Sequence, residues 1–328
     1  RRAAGRGGAM ARVAVLAGGS NAERSLSLQG GREVYDFLRK TRRSVKFVDW
    51  TEDQNLATLL GDVDVCFNCL HGTMGEDGTI AGLLEVLRIP YTFSGVFGSA
   101  CGSDKCKSRE LLEGRADVRV VPGRNVRMEE FDARGASPIP LPAMVKDPAQ
   151  GSSKGVWLCK TPEEFTSAMS KVSGPEAVVE KFLPGVDIVV CLLQDGPGVA
   201  AWPVMEFETE LEWQDNASKN ALWGWEGGGQ GKPLVLKHCP PKHLALGIEA
   251  KAVAMAKAVY RHLRARSALN VEFRVSGGDV YFIEVSVIPA LTSTSVHATC
   301  ARAAGVSYPD LVERMLGTAS LDSAGSKL

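Results

Sequence analysis

Residues 269–286 read Leu-Asn-Val-Glu-Phe-Arg-Val-Ser-Gly-Gly-Asp-Val-Tyr-Phe-Ile-Glu-Val-Ser. Two runs rich in β-branched and aromatic residues flank Ser276-Gly277-Gly278, so the stretch predicts a β-hairpin. Alternation places Asn270, Glu272 and Arg274 on one face of the first strand, and Glu284 and Ser286 on one face of the second. Glu272 and Glu284 lie twelve residues apart across the turn, so their carboxylates can meet on one sheet face. Two carboxylates held together repel unless a cation separates them. Mg²⁺ takes one or two protein carboxylates and completes its shell with phosphate oxygens. The competing reading is a solvated hairpin face with incidental acids.

Working outward from the hairpin, residues 143–146 and 156–160 predict two short strands around Gln150-Gly151-Ser152-Ser153-Lys154-Gly155. Glycines free backbone N–H groups, and hydroxyls add donors, so such a loop can fold over a polyphosphate; it is equally a plain turn. Lys146 just before it and Lys105 upstream can neutralise phosphate charge. Thr161-Pro162-Glu163-Glu164 is a capping box with proline in the first turn, starting a helix to about residue 172. Strands follow at 177–182, 187–193 and 200–207, and consecutive strands without helices predict an antiparallel sheet. Glu180-Lys181-Phe182-Leu183 offers a carboxylate, backbone groups and an apolar wall, as an adenine pocket requires. Its alternative is an edge strand with a surface salt bridge. Residues 208–240 form a long Gly- and Trp-containing segment without a clear period, and 243–263 predict a helix.

The first hundred residues alternate strand and helix signals. Strands are expected at 12–16, 45–50 and 63–70, with helices reaching about residue 40 and spanning 79–87. This pattern predicts a parallel sheet covered on both faces. Ligands of such sheets bind beyond the carboxyl ends of strands, where Gly18-Gly19 and His71-Gly72 fall. Glu23 follows the first glycine pair; it can bind an ammonium or serve as a charge in a helix's first turn. His71 can orient a carboxylate substrate or be a satisfied loop histidine.

The 328-residue chain carries 38 Lys+Arg against 38 Asp+Glu. A zero balance argues against nucleic-acid and membrane-surface partners, which call for a basic excess. The longest apolar run, residues 188–193, is far shorter than a membrane span. Most of the eight cysteines lie in apolar runs, as reduced buried thiols do. Cys66 and Cys69 have the spacing of a zinc or redox pair, but no second pair follows. Residues 1–11 read as a disordered tail or linker, and 318–328 as a second tail ending in Ser326-Lys327-Leu328, a peroxisomal address in a eukaryote.

Further stretches complete the pattern: residues 16–24 (Leu-Ala-Gly-Gly-Ser-Asn-Ala-Glu-Arg), Gly75-Glu76-Asp77-Gly78-Thr79, Ser103-Asp104-Lys105, Ile288-Pro289 and Thr292-Ser293-Thr294-Ser295. Together with those above, they make the chain resemble the D-alanine–D-alanine ligases of the ATP-grasp superfamily over residues 12–317. The resemblance implies an α/β (α+β) chain. An N-terminal Rossmann-like parallel-sheet domain (12–103) would precede an ATP-grasp domain (104–317), whose two α+β subdomains (about 104–186 and 187–317) clamp ATP.

The implied reaction joins two D-alanine molecules through an acyl phosphate, for peptidoglycan precursors. In it Lys105, Lys146, Ser152 and Ser153 would contact phosphates, while Glu180, Lys181, Leu183 and Asp187 would hold adenine and ribose. Glu272, Glu284 and Ser286 would bind Mg²⁺ or Mn²⁺. Glu23, His71, Ala290 and Ser295 would hold or orient amino-acid substrates, and Glu23, Ser152 and Asn270 would stand at the chemistry. The resemblance further implies a homodimer in the cytoplasm, with plastid or peroxisome as alternatives.

Departures from the family pattern are specific. Asn270 stands where the family carries an arginine that stabilises the tetrahedral intermediate. Ala290 replaces the glycine of the oxyanion site, Ser286 an asparagine metal ligand, and Asp187 the ribose glutamate. The mobile loop's Lys-Tyr pair has only Lys219-Asn220 as a counterpart. Arg274 shares the face of Asn270 but lies four residues, ~13 Å, along the strand, too far to replace the arginine. These departures leave open a ligase for a different amino acid or amine, or a nucleotide-binding domain without activity.

Overall fold

The computed structural model describes residues 11–41, 44–131, 136–148, 150–151, 154–209 and 235–322. β1 (Val13–Gly18), α1 (Arg24–Thr41), β2 (Val45–Trp50), α2 (Leu56–Leu60), β3 (Val65–Asn68) and α3 (Thr79–Leu87) alternate along the chain. The strands form a parallel sheet in the order β2-β1-β3. All of β1 is buried: Val13, Val15 and Ala17 enter one core, Ala14 and Leu16 another. Both faces are thus covered, which is the condition under which parallel sheets occur. α1 buries Ser27, Gly30, Gly31, Val34 and Leu38, a stripe at helical spacing.

Two helices unmarked in the sequence reading follow, α4 (Val96–Ser103) and α5 (Lys105–Leu112). Asp104 separates them and caps α5, its carboxylate accepting from the N–H groups of Cys106 (2.8 Å) and Lys107 (3.0 Å). This cap sets Lys105 at the first position of α5.

β4 (Gly123–Arg127), β5 (Ala143–Lys146), β6 (Val156–Cys159), α6 (Pro162–Met169) and β7 (Glu176–Lys181) form the next unit. Its sheet is antiparallel in the order β4-β7-β5-β6. The capping box forms as expected, with Thr161 and Glu164 each accepting from the other's backbone N–H. Because β4 pairs with β7, Glu180 lies on an interior strand and is buried; it is not on an edge strand.

A larger antiparallel sheet has the order β11-β10-β8-β12-β13, with β9 also on β8. Its strands are β8 (Val186–Asp195), β9 (Gly198–Ala201), β10 (Met205–Thr209), β11 (Val235–His238), β12 (Ala268–Ser276) and β13 (Asp279–Ser286). The single strand expected at 200–207 is two strands, broken at Trp202-Pro203, since proline cannot donate to a ladder. α7 (Ile248–His262) begins later than expected: the N–H groups of Lys242 and His243 donate instead to the buried Glu206 carboxylate, at 2.8 and 2.9 Å. α8 (Val296–Ala303) and α9 (Tyr308–Gly317) complete the chain. Gly185, at φ +152°, links the two antiparallel sheets; a Cβ there would lie 1.9 Å from the Val275 carbonyl oxygen.

The β12–β13 register holds the decisive detail. Ser276 pairs with Asp279, and Gly277 and Gly278 both take positive φ (60° and 82°), as a two-residue I′ turn requires. Regular pairing from that turn would set Glu272 opposite Ile283 and turn Glu284 to the other face. Instead the register shifts: Phe273 pairs with Phe282, but Glu272 pairs with Glu284. Ile283 is the extra residue of a β-bulge, and the one-residue slip brings Glu284 and Ser286 to the face of Glu272. Burial follows: Phe282 and Val285 are buried, while Tyr281, Glu284 and Ser286 are only partly so. The two acids meet, then, for a reason that simple alternation does not contain.

Candidate active site

The three sheets converge on one cavity of about 700 Å³, within the ~300–1,000 Å³ typical of small-molecule sites. Every candidate residue among the described ones lines it. Ser152 and Ser153, like Lys219-Asn220, lie outside the described residues.

One wall comes from the small sheet. The Glu180 carboxylate is held between two cations, Lys146 Nζ at 2.5 Å and Arg109 Nη1 at 3.2 Å. All three side chains are nearly fully buried, so the pairing offsets a large desolvation cost. Arg109 was not singled out from sequence; it also donates to the carbonyls of Val121 (2.7 Å) and Gly123 (2.9 Å). An arginine on a short helix carries no sequence sign that it will reach a strand seventy residues away. Lys181, Phe182 and Leu183 continue this wall.

The facing wall is the larger sheet. Asn270, Glu272 and Arg274 on β12, and Glu284 and Ser286 on β13, look into the cavity. Arg274 is committed locally: Nε donates to the Leu183 carbonyl at 2.9 Å and Nη1 pairs with Asp187 at 2.9 Å. It therefore steadies Asp187 and does not take the place beside Asn270. Lys237 also lines the cavity, with burial holding its ammonium below the usual lysine range; the sequence reading passed over it.

Lys105 joins the walls. Its Nζ lies 3.0 Å from the Glu284 carboxylate and donates to the Gln150 carbonyl at 2.7 Å. One ammonium thus touches the turn after β5 and one acid of the larger sheet.

The N-terminal sheet supplies the remaining end. Glu23 lies over Gly72 and Gly151, where a Cβ would fall 2.7 and 3.2 Å from its oxygens. Burial pushes the Glu23 carboxyl above its usual range, and the charge of Glu76 adds to this, against the opposing effects of His71, Lys154 and Lys105. A buried carboxylate short of positive charge suits an incoming ammonium. His71 Nδ1 is 2.9 Å from Glu76 Oε1, while its buried Nε2 has no hydrogen-bond partner among the described residues. Ser295 caps α8, accepting from the Ala298 N–H at 3.3 Å, and Ala290 lies at the same end of the cavity.

The paired cysteines do not form a reactive site. Burial pushes the Cys66 thiol up to about 12 and Cys69 well above its ordinary value, so neither is a thiolate at neutral pH.

A family model described as the D-ala D-ala ligase C-terminus matches residues 120–317, and one described as its N-terminus matches 52–94. The chain belongs to the D-alanine–D-alanine ligase family. A ligase of this name from Desulforudis audaxviator is 33% identical over 311 residues, covering 93% of this chain and 97% of that protein. One from Geobacter sulfurreducens is 33% identical over 318 residues, covering 96% of each. The fold matches crystal structures of the D-alanine–D-alanine ligase from Bacillus anthracis, one of them complexed with ATP. Their TM-scores are 0.78 and 0.77 at 24% identity, and the matches cover 94% of this chain and 97% of theirs. The expected α/β (α+β) class, with an N-terminal parallel sheet and antiparallel strands after it, is the one observed. Among the described residues no helix is long and apolar enough to cross a membrane.

Proposed function

We propose that this chain is an ATP-dependent carboxylate–amine ligase that joins two molecules of D-alanine in cytoplasmic peptidoglycan precursor synthesis. The observation that carries the proposal is the bulged register that sets Glu272 opposite Glu284, in a cavity that also holds Lys105 and Lys146. A triphosphate needs cations around it, and a divalent ion needs acids; the cavity provides both. We assign residues 12–103 to an N-terminal domain, and 104–186 and 187–317 to the two lobes of the nucleotide clamp. Their separate sheets support this division.

Glu272 and Glu284, with the Ser286 hydroxyl, form an oxygen donor set that fits Mg²⁺ or Mn²⁺. When bound, the ion would neutralise phosphate oxygens. Lys105 and Lys146 do the same from the protein side, and phosphoryl transfer asks mainly for such positioning and charge. Glu180 and the backbone at 181–183 hold adenine, and Asp187, steadied by Arg274, accepts from ribose. Glu23 holds the first substrate's ammonium so that its carboxylate attacks the γ-phosphorus and ADP leaves. The second amine then attacks the acyl carbon. The C–N bond forms, the C–O bond to phosphate breaks with its electron pair on phosphate, and the amine loses one proton.

Phosphate release measured with ATP, Mg²⁺ and D-alanine tests the reading. One ADP and one phosphate per dipeptide is the expected stoichiometry, and silence toward every D- and L-amino acid would overturn it. Asn270 and Ala290, which reshape the amine end, favour a second reading, a ligase for another amine. A stronger response to a different amino acid in the same assay would establish it.

A further inference from the structure

We propose that Trp202 and His297 lock the Asn270 side chain so that its amide N–H groups face the cavity and hydrogen-bond the acyl oxygen that gains charge during amine attack. The inference rests on the ligase reading and deepens it.

The argument is one of donors and acceptors. Trp202, buried just after β9, donates its indole N–H to His297 Nε2 at 3.0 Å. An indole nitrogen can only donate, so Nε2 must carry the lone pair. The imidazole is therefore neutral with its proton on Nδ1. Full burial agrees, pushing its pKa down to about 3. Nδ1–H then donates to Asn270 Oδ1 at 2.8 Å. The opposite amide orientation would set two donors against each other. With the carbonyl consumed, what Asn270 has left for the cavity it lines is its NH₂ group.

The location fits the chemistry. Asn270 pairs across the strands with Ser286 and stands two residues from Glu272, where family resemblance puts an arginine donor. A neutral amide forms weaker hydrogen bonds than a guanidinium. Rigidity compensates, because a donor fixed in advance costs no reorganisation when charge develops. The plain alternative is a set of core groups satisfying one another. It predicts effects on stability alone.

Three measurements on the full-length chain separate the readings. First, in Asn270→Asp the acceptor toward His297 remains but the N–H donors are gone. Its kcat for dipeptide synthesis should fall by about 100-fold or more, the usual loss for one oxyanion donor, while KM for D-alanine and ATP affinity stay within about threefold. Second, ¹⁵N spectra of the unsubstituted protein should show His297 with Nδ1 protonated and Nε2 bare at neutral pH. Third, Trp202→Phe should let the other tautomer appear and lower kcat without a matching change in KM. A kcat for Asn270→Asp within threefold of the parent, or a protonated Nε2 in the parent, would overturn the proposal. Should Trp202→Phe not fold, the first two measurements still decide. An unsubstituted chain that binds ATP but joins no amine would overturn the ligase reading, and the role of the amide with it.

Discussion

The ammonium of Lys105 and the carboxylate of Glu284 meet at 3.0 Å, tying the start of α5 to the bulged strand β13. Glu284 therefore balances a lysine while also facing Glu272. Replacing it with glutamine removes one of two acids from the ion site and leaves the geometry of the strand intact. Glu284→Gln should weaken Mg²⁺-dependent ATP binding by about 100-fold, or about 2.7 kcal/mol, in calorimetric titrations at fixed Mg²⁺. Binding measured without the ion should change far less. Equal Mg²⁺ dependence in parent and variant would refute the metal assignment.

Glu180 offers a test of stability as well as of binding. Its carboxylate is the partner of two buried cations, Lys146 and Arg109. Removing one member of a buried ionic set leaves uncompensated charge, which costs about 3–5 kcal/mol. Glu180→Gln should lower unfolding free energy in urea by about 3 kcal/mol, and Glu180→Gln with Lys146→Met should recover part of it. No recovery in the double variant would mean that the two charges are not coupled.

Glu23 should make substrate binding pH-dependent with a defined sign. Its folded-state pKa is raised, first by burial and then by Glu76, so just below that value the free enzyme holds a proton there. An ammonium substrate favours the carboxylate and expels the proton. D-alanine affinity should therefore rise with pH through the raised pKa, and binding heats should vary with buffer ionisation enthalpy. Both effects should vanish in Glu23→Gln. Buffer-independent heats in the parent would remove Glu23 from the ammonium site.

What the sequence made legible was chiefly periodic. Alternating strands and helices announced the parallel sheet, and consecutive apolar runs announced antiparallel pairing, although the run at 177–182 joins the small sheet as β7 and not the strands that follow it. The capping box at Thr161 and Glu164 was readable because its chemistry is local. The bulge at Ile283 was not, because nothing in the alternation marks an inserted residue; the acid pair was inferred without the device that creates it. α4 and α5 were passed over because each is short and its apolar residues pack against elements distant in sequence. Arg109 and Lys237 were missed for the same reason: only tertiary packing brings Arg109 to Glu180 and Lys237 to the cavity. Asn270 stands out in the sequence as a departure, but its partner His297 and the Trp202 behind that histidine lie 27 and 68 positions away from it, and no spacing rule connects them.

His297 should leave a mark on acid stability. Its pKa falls from 6.5 to about 3 on folding, so between those values the unfolded chain binds a proton that the folded chain refuses. Stability from this group is complete above about pH 6.5 and declines as pH drops, by about 1.4 kcal/mol per unit. Glu23 acts in the opposite sense: its raised pKa makes the folded state the better proton binder in its own window, so its contribution grows as pH falls. The two separate by substitution. In His297→Gln, urea unfolding followed from pH 7 to 5 should lose one proton's worth of slope relative to the parent, while Glu23→Gln should remove the opposing contribution, in the window between the ordinary glutamate value and the raised one. Identical slopes for parent and His297→Gln would mean that His297 titrates normally in the folded state, and the neutral imidazole between Trp202 and Asn270 would have to be given up.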